Sequence, residues 1–108
     1  MTRPVRVSGS REFARFYSSL QNISLKENIE NAMDALKENP SAGDRIRNNL
    51  WPKKYIKNYL INNLLVYKLG SDWRMLYTIT VDKEQTACVI LEVLDHKNYD
   101  NLFGYKTS

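Results

Sequence analysis

The chain contains too little cysteine and histidine for most disulfide and metal chemistry. Among its 108 residues there is one cysteine, Cys88, and one histidine, His96. A single cysteine cannot form an internal disulfide, and one residue of each type does not supply the clustered ligands of a zinc site. Cys88 lies in the apolar run TACVILEVL, where a small buried residue is expected. The sequence therefore predicts neither a disulfide nor a metal site.

Glycine-rich motifs and long apolar runs are also missing. No GxxxxGK[ST], GxGxxG or GxSxG motif is present, so nucleotide-binding folds and nucleophile elbows have no support in the sequence. No run approaches the roughly 18 apolar residues of a membrane span. The opening MTRPVRVSGS lacks the apolar segment of a signal peptide. We therefore expect a cytoplasmic protein with no cofactor and no membrane partner.

Acidic residues are absent from one long stretch. Between Asp44 and Asp72 there is no aspartate or glutamate, although the net charge of the whole chain is only +4. Basic groups mixed with aromatic rings suit the binding of a polyanion such as RNA. The alternative is a solvated basic face with its aromatic rings in the core. The stretch contains these basic and aromatic residues: Arg45, Arg47, Lys53, Lys54, Lys57 and Lys68, with Trp51, Tyr55, Tyr59 and Tyr67.

The first half of the chain has the pattern of a strand followed by two helices. A chain of this length builds one core, so we expect residues 1–108 to form one domain. RPVRVS alternates as a short strand does. Apolar residues at helical spacing then predict one helix capped by Ser10 and a second that begins with a capping box of Ser24 and Glu27. Asn39–Pro40 ends the second helix, and the two should form a hairpin.

The second half of the chain predicts strands. LLVYKL, WRMLYTITV and TACVILEVL are separated by two tight turns, which favours an antiparallel meander. In the middle strand the more apolar face, which the helices should cover, contains Trp73, Met75, Tyr77 and Ile79. Both faces of the last strand are apolar, so its pattern leaves their assignment open.

Two further segments flank these strands. Residues 41–63 form a long connection in which Pro52 can open a turn of helix, and long connections in small domains are often functional. After the last strand, NYDNLFGY predicts a short helix that Gly104 stops. The predicted fold class is therefore α+β.

The remaining side chains suit metal-free cleavage of RNA. That reaction needs a group to accept the 2′-hydroxyl proton, cations to stabilise the charge that develops on phosphorus, and an acid for the leaving 5′-oxygen. The candidates for catalysis are Arg74, His96, Lys97 and Tyr99. The candidates for RNA contact are Lys53, Lys54, Lys57 and Lys68.

Each candidate also has a structural alternative. Histidine titrates near neutrality, and Asp95 or Glu92 could set the protonation of His96, but a histidine at a strand end can simply bond a carbonyl group. Arg74 either pairs with a carboxylate such as Glu92 or points into an open groove. Lys97 and the loop lysines can be solvated, and Tyr99 can pack the end of the chain onto the core.

Three segments together resemble the RelE/ParE superfamily of type II toxin-antitoxin toxins, in particular its archaeal RelE-like branch. They are RIRNNLWPKKYIKNYLINNLLVYKL, WRMLYTI and VILEVLDHKNYDNLFGY, and the match is best from Arg45 to Tyr105. The resemblance implies a small RelE-like domain: an N-terminal helical hairpin packed on a twisted antiparallel sheet, with a short C-terminal helix.

The resemblance also implies a function. RelE-type toxins cleave mRNA without metal, typically in the ribosomal A site, and a cognate antitoxin neutralises them. By position, Arg74 would hold the scissile phosphate with Lys97, and His96 would transfer protons. The family's C-terminal tyrosine falls on Phe103, which leaves Tyr99 for base stacking or orientation. The alternatives within the superfamily are a ParE-like gyrase inhibitor, or a degenerate member that binds RNA or antitoxin without cleavage.

Overall fold

We describe residues 4–104 of the chain from a computed structural model, so Tyr105, at the end of the resemblance, lies outside the described residues. The elements follow one another as β1 (Val5–Gly9), α1 (Arg11–Ser18), α2 (Ile23–Glu38), β2 (Asp44–Arg45), α3 (Lys53–Tyr59), β3 (Leu65–Leu69), β4 (Trp73–Val81), β5 (Thr86–Asp95) and α4 (His96–Phe103), with short 3₁₀ turns at Pro40–Ala42 and Asn48–Leu50. This order confirms the predicted α+β class. It also confirms the helix that opens after Pro52 and the terminal helix that stops at Gly104, whose φ is 72°.

The five strands form one sheet in the order β1-β5-β4-β3-β2. The predicted antiparallel meander of β3, β4 and β5 is confirmed, while β1 joins β5 in parallel and makes the sheet mixed. Both edge strands are short: β1 ends opposite Ile90, and β2 covers only Leu65 and Val66. The three central strands therefore extend past both edges at the end of the sheet that carries Arg74.

The helices α1 and α2 cover one face of the sheet, as the apolar stripe of β4 predicts. Ser10 caps α1 by accepting a hydrogen bond of 3.0 Å from the backbone of Phe13. The capping box at Ser24 is wrong, because Asn22 caps α2 through a bond of 3.0 Å from the backbone of Leu25. Asparagine is as good an N-cap as serine, so the helix begins earlier and Ser24 lies inside its first turn. The buried cluster on this face comprises Phe13, Leu25, Ile29, Ala32, Leu36, Leu65, Leu69, Met75, Tyr77, Cys88, Ile90 and Val93.

The helices α3 and α4 cover the opposite face, which explains why both faces of β5 are apolar. Its buried cluster comprises Tyr55, Ile61, Leu64, Val66, Leu76 and Leu91. Aromatic residues of both helices pack around this cluster, including Tyr59, Tyr99 and Phe103. The sheet is thus a middle layer between two unequal helical layers.

A bulge in β5 determines which side chains reach each face. Leu76 pairs with Glu92 and Tyr77 pairs with Ile90, so Leu91 is an extra residue on β5. A bulge shifts the alternation of side chains beyond it. As a result, Cys88, Ile90 and Val93 lie toward α1 and α2, whereas Val89, Leu91 and Leu94 lie toward α3 and α4.

Candidate nucleic-acid interface

Two cations lie opposite each other on neighbouring strands. The tight connection through Gly70 pairs Leu69 with Trp73, and this register places Lys68 opposite Arg74. Gly70 takes a φ of 67°, a left-handed conformation that favours glycine. Like charges directly opposite in a sheet are unfavourable unless something compensates for them. The pair is therefore a place where an anion would be stabilising.

Arg74 is bonded to carbonyl groups rather than to a carboxylate. Its Nη1 donates to the carbonyl oxygen of Trp73 at 3.0 Å and, more weakly, to that of Ser71 at 3.4 Å. Within residues 4–104, no ion pair involves Arg74 or Lys68. The predicted alternative of an Arg74–Glu92 pair is therefore wrong, because Glu92 pairs with another residue.

The aromatic end of α4 lies beside the guanidinium. Arg74 Cζ is 6.0 Å from the centroid of the Tyr99 ring, at the outer limit of a cation–π contact. Tyr99 in turn packs on Phe103, with ring centroids 4.7 Å apart. Phe103 is thus a packing partner of Tyr99. A tilted aromatic pair next to a cation is a surface on which a base can stack.

His96 is oriented by a carboxylate one helical turn further along α4. Its Nε2 lies 3.1 Å from Asp100 Oδ2; the His96 side chain is 57% exposed, and Asp100 is 7% exposed. Asp95 instead caps the helix, accepting a bond of 2.8 Å from the backbone of Asn98. The carboxylate in contact with His96 is therefore Asp100 rather than Asp95 or Glu92. Asp100 was missed, although its i,i+4 spacing from His96 on a predicted helix was a usable signal.

Lys97 is exposed and points away from the aromatic pair. At 100° per residue it lies about 120–160° around α4 from Tyr99 and Phe103. The structure therefore does not bring Lys97 to Arg74. Lys68 is the cation that it places there.

The lysines of α3 fall into two groups. Lys54 Nζ lies 2.8 Å from Glu92 Oε1, which also accepts a hydrogen bond of 2.7 Å from the Tyr55 hydroxyl. Burial, reinforced by the Glu92 carboxylate, raises the pKa of Tyr55, so this hydroxyl remains a neutral donor. Lys53 and Lys57 are exposed and lie one turn apart on the outer side of α3. They are therefore more available to a ligand than Lys54.

A pocket of about 350 Å³ at the open edge of β5 has the opposite electrostatic character. Its lining includes Glu12, Glu92 and Asp95, together with Phe16 and Trp73. Glu12 accepts a hydrogen bond of 2.7 Å from Tyr59, which lowers the pKa of Glu12, and burial with the same bond raises the pKa of Tyr59 to about 12. Ionised carboxylates repel a polyanion, so this pocket marks a boundary of the basic surface.

Residues 4–104 contain no group of three or more histidine, cysteine, aspartate or glutamate side chains placed to hold a metal ion. None of the helices in this range is both long and apolar enough to cross a membrane.

The similarity to known toxins covers most of the chain. The family model described as the ParE toxin of the type II toxin-antitoxin system, parDE, matches residues 10–99. No curated protein sequence matches. Among solved structures, the YoeB/ParE toxin from Agrobacterium tumefaciens aligns with a TM-score of 0.62 at 10% identity, over 84% of this chain and 98% of that one.

A second solved structure, the RelBE2 toxin-antitoxin complex from Mycobacterium tuberculosis, aligns with a TM-score of 0.60 at 23% identity, over 89% of this chain and 95% of that one. At these identities the two structures establish the fold, and the family match establishes membership. The resemblance to the superfamily is confirmed, and the archaeal branch stays a prediction. The chain therefore belongs to the ParE toxin family of type II toxin-antitoxin systems, within the RelE/ParE superfamily.

Proposed function

We propose that this toxin is a metal-independent endoribonuclease that cleaves mRNA in the cytoplasm, with the ribosome supplying part of the substrate geometry. One observation carries the proposal: Arg74 and Lys68 lie opposite each other and have no carboxylate partner within residues 4–104. Two neighbouring cations without internal counter-ions suit a phosphate, whose charge grows as the transition state forms. The neighbouring ring of Tyr99 supplies a stacking surface for a base.

The proposed reaction is an internal transfer at phosphorus. The 2′-hydroxyl oxygen attacks the adjacent phosphate while His96, held by Asp100, accepts its proton. Arg74 and Lys68 stabilise the additional negative charge on the phosphorane oxygens. The bond to the 5′-oxygen then breaks, water protonates that oxygen, and the products are a 2′,3′-cyclic phosphate and a 5′-hydroxyl end.

The other predicted cations take secondary roles in this proposal. Lys97 lies on the far side of α4 from Tyr99, so we assign it a contact with the RNA backbone, and Lys68 takes the place beside the phosphate. Lys53 and Lys57 extend the basic surface along α3 toward RNA or the ribosome. Lys54 contributes least because Glu92 neutralises it. The cognate antitoxin would silence the toxin by covering this surface.

The family match favours a second candidate function. The matching family is that of ParE, and ParE-like toxins inhibit DNA gyrase without a nuclease site. A third candidate is a member that binds RNA or antitoxin and does not cleave RNA. The resemblance supports it because Phe103 stands where the family has a tyrosine. Both alternatives predict a folded protein that does not cleave RNA.

The experiment maps the 5′ and 3′ ends of a translated mRNA incubated with ribosomes and purified protein, and of naked RNA in EDTA. Wild type, Arg74→Ala and Arg15→Ala are compared, since Arg15 is an exposed arginine on α1 outside the site. We expect cyclic-phosphate ends with wild type and Arg15→Ala, and a loss of about 100- to 1,000-fold with Arg74→Ala. No cleavage by folded, antitoxin-free wild type would refute the proposal. Inhibition of gyrase supercoiling would then identify a ParE-type activity.

A further inference from the structure

The open edge of β3 borders a small pocket next to the two cations. β2 begins at Asp44, opposite Val66, so within residues 4–104 no strand covers the outer side of Lys68. A pocket of about 270 Å³ lies at this edge, a size that admits one nucleobase. It is lined by Ala42, Gly43, Asp44, Val66, Tyr67 and Lys68. Lys68 therefore belongs both to the proposed phosphate site and to the wall of this pocket.

Asp44 lies on the same face of the sheet as the two cations. It pairs with Val66, whose side chain belongs to the buried cluster toward α3 and α4, and residues directly opposite each other share a face. Lys68 is two residues further along β3, so its side chain points to that face as well. Asp44 and Lys68 are thus diagonal neighbours, about 7–8 Å apart across the strands. Asp44 is exposed and forms no ion pair within residues 4–104, so a carboxylate stands beside the cations without neutralising them.

The backbone that carries Asp44 is held against the sheet by specific contacts. Immediately before it, the N–H of Gly43 donates to the Tyr77 hydroxyl at 3.0 Å, and two residues after it the N–H of Ile46 donates to the carbonyl oxygen of Leu64 at 2.9 Å. Position 43 also has no room for a side chain, because a Cβ there would lie 2.8 Å from the Tyr77 oxygen. The Asp44 carboxylate is therefore attached to a positioned backbone, as a contact that determines specificity requires.

The backbone of Lys68 supplies a second recognition group. Leu64 accepts the bond from Ile46, so the backbone groups of Leu64 point toward the β2 side of β3. Successive residues of a strand direct these groups alternately to its two sides, so Val66 and Lys68 direct theirs to the β2 side as well. β2 pairs with Val66 and does not reach Lys68. The N–H and C=O of Lys68 therefore face the pocket.

The donors and acceptors of the pocket fit guanine better than the other RNA bases. A carboxylate has two oxygens and only accepts hydrogen bonds. Guanine presents two donors side by side, N1–H and the N2 amino group, whereas the other bases present an acceptor next to the donor on that edge. The N–H of Lys68 is a donor for guanine O6. A carboxylate at this position would repel an RNA strand unless it bound such donors.

We infer that Asp44 and the backbone of Lys68 form a subsite that reads guanine beside the scissile phosphate. The inference rests on the proposed function, because Lys68 and Arg74 would hold the phosphate attached to that guanosine. The Asp44 carboxylate would accept hydrogen bonds from N1–H and the N2 amino group, and the N–H of Lys68 would donate to O6. Cleavage would then fall preferentially next to guanine.

The first test measures binding of a short labelled RNA of uridines with one central guanosine. All its riboses are 2′-O-methylated, so the attacking hydroxyl is blocked. Control oligonucleotides carry inosine, adenosine or uridine at the centre, and inosine lacks only the N2 amino group. Fluorescence anisotropy compares wild type, Asp44→Asn and Asp34→Asn, a change at an exposed aspartate of α2 outside the pocket. We expect wild type and Asp34→Asn to bind the guanosine RNA about tenfold more tightly than the inosine RNA, and Asp44→Asn to bind both alike.

Three results would overturn the inference. They are equal binding of the guanosine and inosine RNAs by wild type, a guanosine preference that survives in Asp44→Asn, and no binding of any of the RNAs by wild type. A folding control accompanies them: Asp44 is exposed, so the thermal midpoint of Asp44→Asn should match that of wild type. A loss of recognition is thereby distinguished from a loss of fold.

Mapping of the cleaved ends separates this inference from the nuclease proposal. Wild type and Asp34→Asn should cut next to guanine about tenfold more often than next to other bases, and Asp44→Asn should lose this preference while it still cleaves. Guanine-selective binding by a protein that never cleaves RNA would support the subsite and refute the nuclease. Cleavage without base preference, together with equal binding of the RNAs, would leave the nuclease intact and overturn the subsite.

Discussion

The two faces of the sheet handle polar groups differently. Toward α1 and α2 the buried cluster is apolar except for Tyr77 and Cys88, and the Tyr77 hydroxyl is satisfied by backbone groups, donating to Pro40 at 2.7 Å and accepting from Gly43 at 3.0 Å. Toward α3 and α4 the buried cluster is half as large. Ionised side chains lie beside that smaller cluster, so stability and chemistry are concentrated on opposite sides of one sheet.

The second face is itself divided by whether its charges have partners. Glu92 forms an ion pair with Lys54 and accepts a hydrogen bond from Tyr55. The side-chain oxygen of Asn63 accepts hydrogen bonds from Thr78 and Ile79. Further along the same strands, the cations of the candidate site have carbonyl contacts only or no ion pair. Polarity alone therefore does not mark the site. The candidate site is distinguished by two cations on paired strands that have no ion-pair partner within residues 4–104.

The largest loss of stability is expected on the face toward α1 and α2. Ile29→Ala should lower the free energy of unfolding by about 2–5 kcal/mol, because Ile29 is fully buried among apolar side chains. Urea denaturation followed by tryptophan fluorescence measures it. Ile23→Ala on the same helix, at an exposed position, should change stability by less than about 0.5 kcal/mol. Loss of RNA cleavage per folded molecule in Ile29→Ala would contradict the division between faces.

The second prediction tests the matched charges on the face toward α3 and α4. Glu92→Ala should lower the free energy of unfolding by about 1–3 kcal/mol, because it leaves the hydroxyl of the fully buried Tyr55 without its acceptor. Glu92→Gln retains an acceptor oxygen and should cost less than Glu92→Ala. Equal losses in the two variants, measured by urea denaturation, would show that the charge of Glu92 matters more than the hydrogen bond.

The third prediction concerns alkaline pH. Burial and the Glu92 carboxylate both raise the pKa of Tyr55, whereas at Tyr77 the bond from Gly43 opposes the effect of burial on the pKa. A tyrosine whose folded pKa exceeds its unfolded value near 10 stabilises fully below about pH 10 and loses that contribution as pH rises, by about 1.4 kcal/mol per pH unit. Wild type should therefore lose stability above pH 10. Tyr55→Phe should flatten this loss more than Tyr77→Phe, and the reverse ranking in alkaline urea titrations would contradict the assignment.

Much of the fold follows from local pattern. Alternation in β4 places Trp73, Met75, Tyr77 and Ile79 on one face because each side chain in a strand turns opposite to its neighbour. Pro52 and Gly104 mark a helix start and a helix end because of their own backbone preferences.

Other features depend on contacts between residues that are far apart in the sequence. The extra residue at Leu91 interrupts the alternation of β5, and both faces of that strand are apolar, so the pattern could not reveal the bulge. Glu92 could equally have paired with Arg74, and only the position of α3 decides that it pairs with Lys54. The pairing of Lys68 with Arg74, by contrast, follows from the three-residue turn between β3 and β4. The length of that turn in the sequence was therefore enough to predict it.

Among the substitutions that remove a side-chain contact, the smallest expected change in stability is at His96, where the comparison of faces becomes a test of mechanism. The His96 side chain is 57% exposed where it contacts Asp100, so His96→Ala should change the free energy of unfolding by less than about 1 kcal/mol. If His96 transfers the proton, the same variant should lose most RNA cleavage, and Asp100→Asn should shift the pH profile of cleavage because it alters the partner of the imidazole. Unchanged cleavage per folded molecule in His96→Ala would make the histidine structural and leave Arg74 and Lys68 to act with solvent.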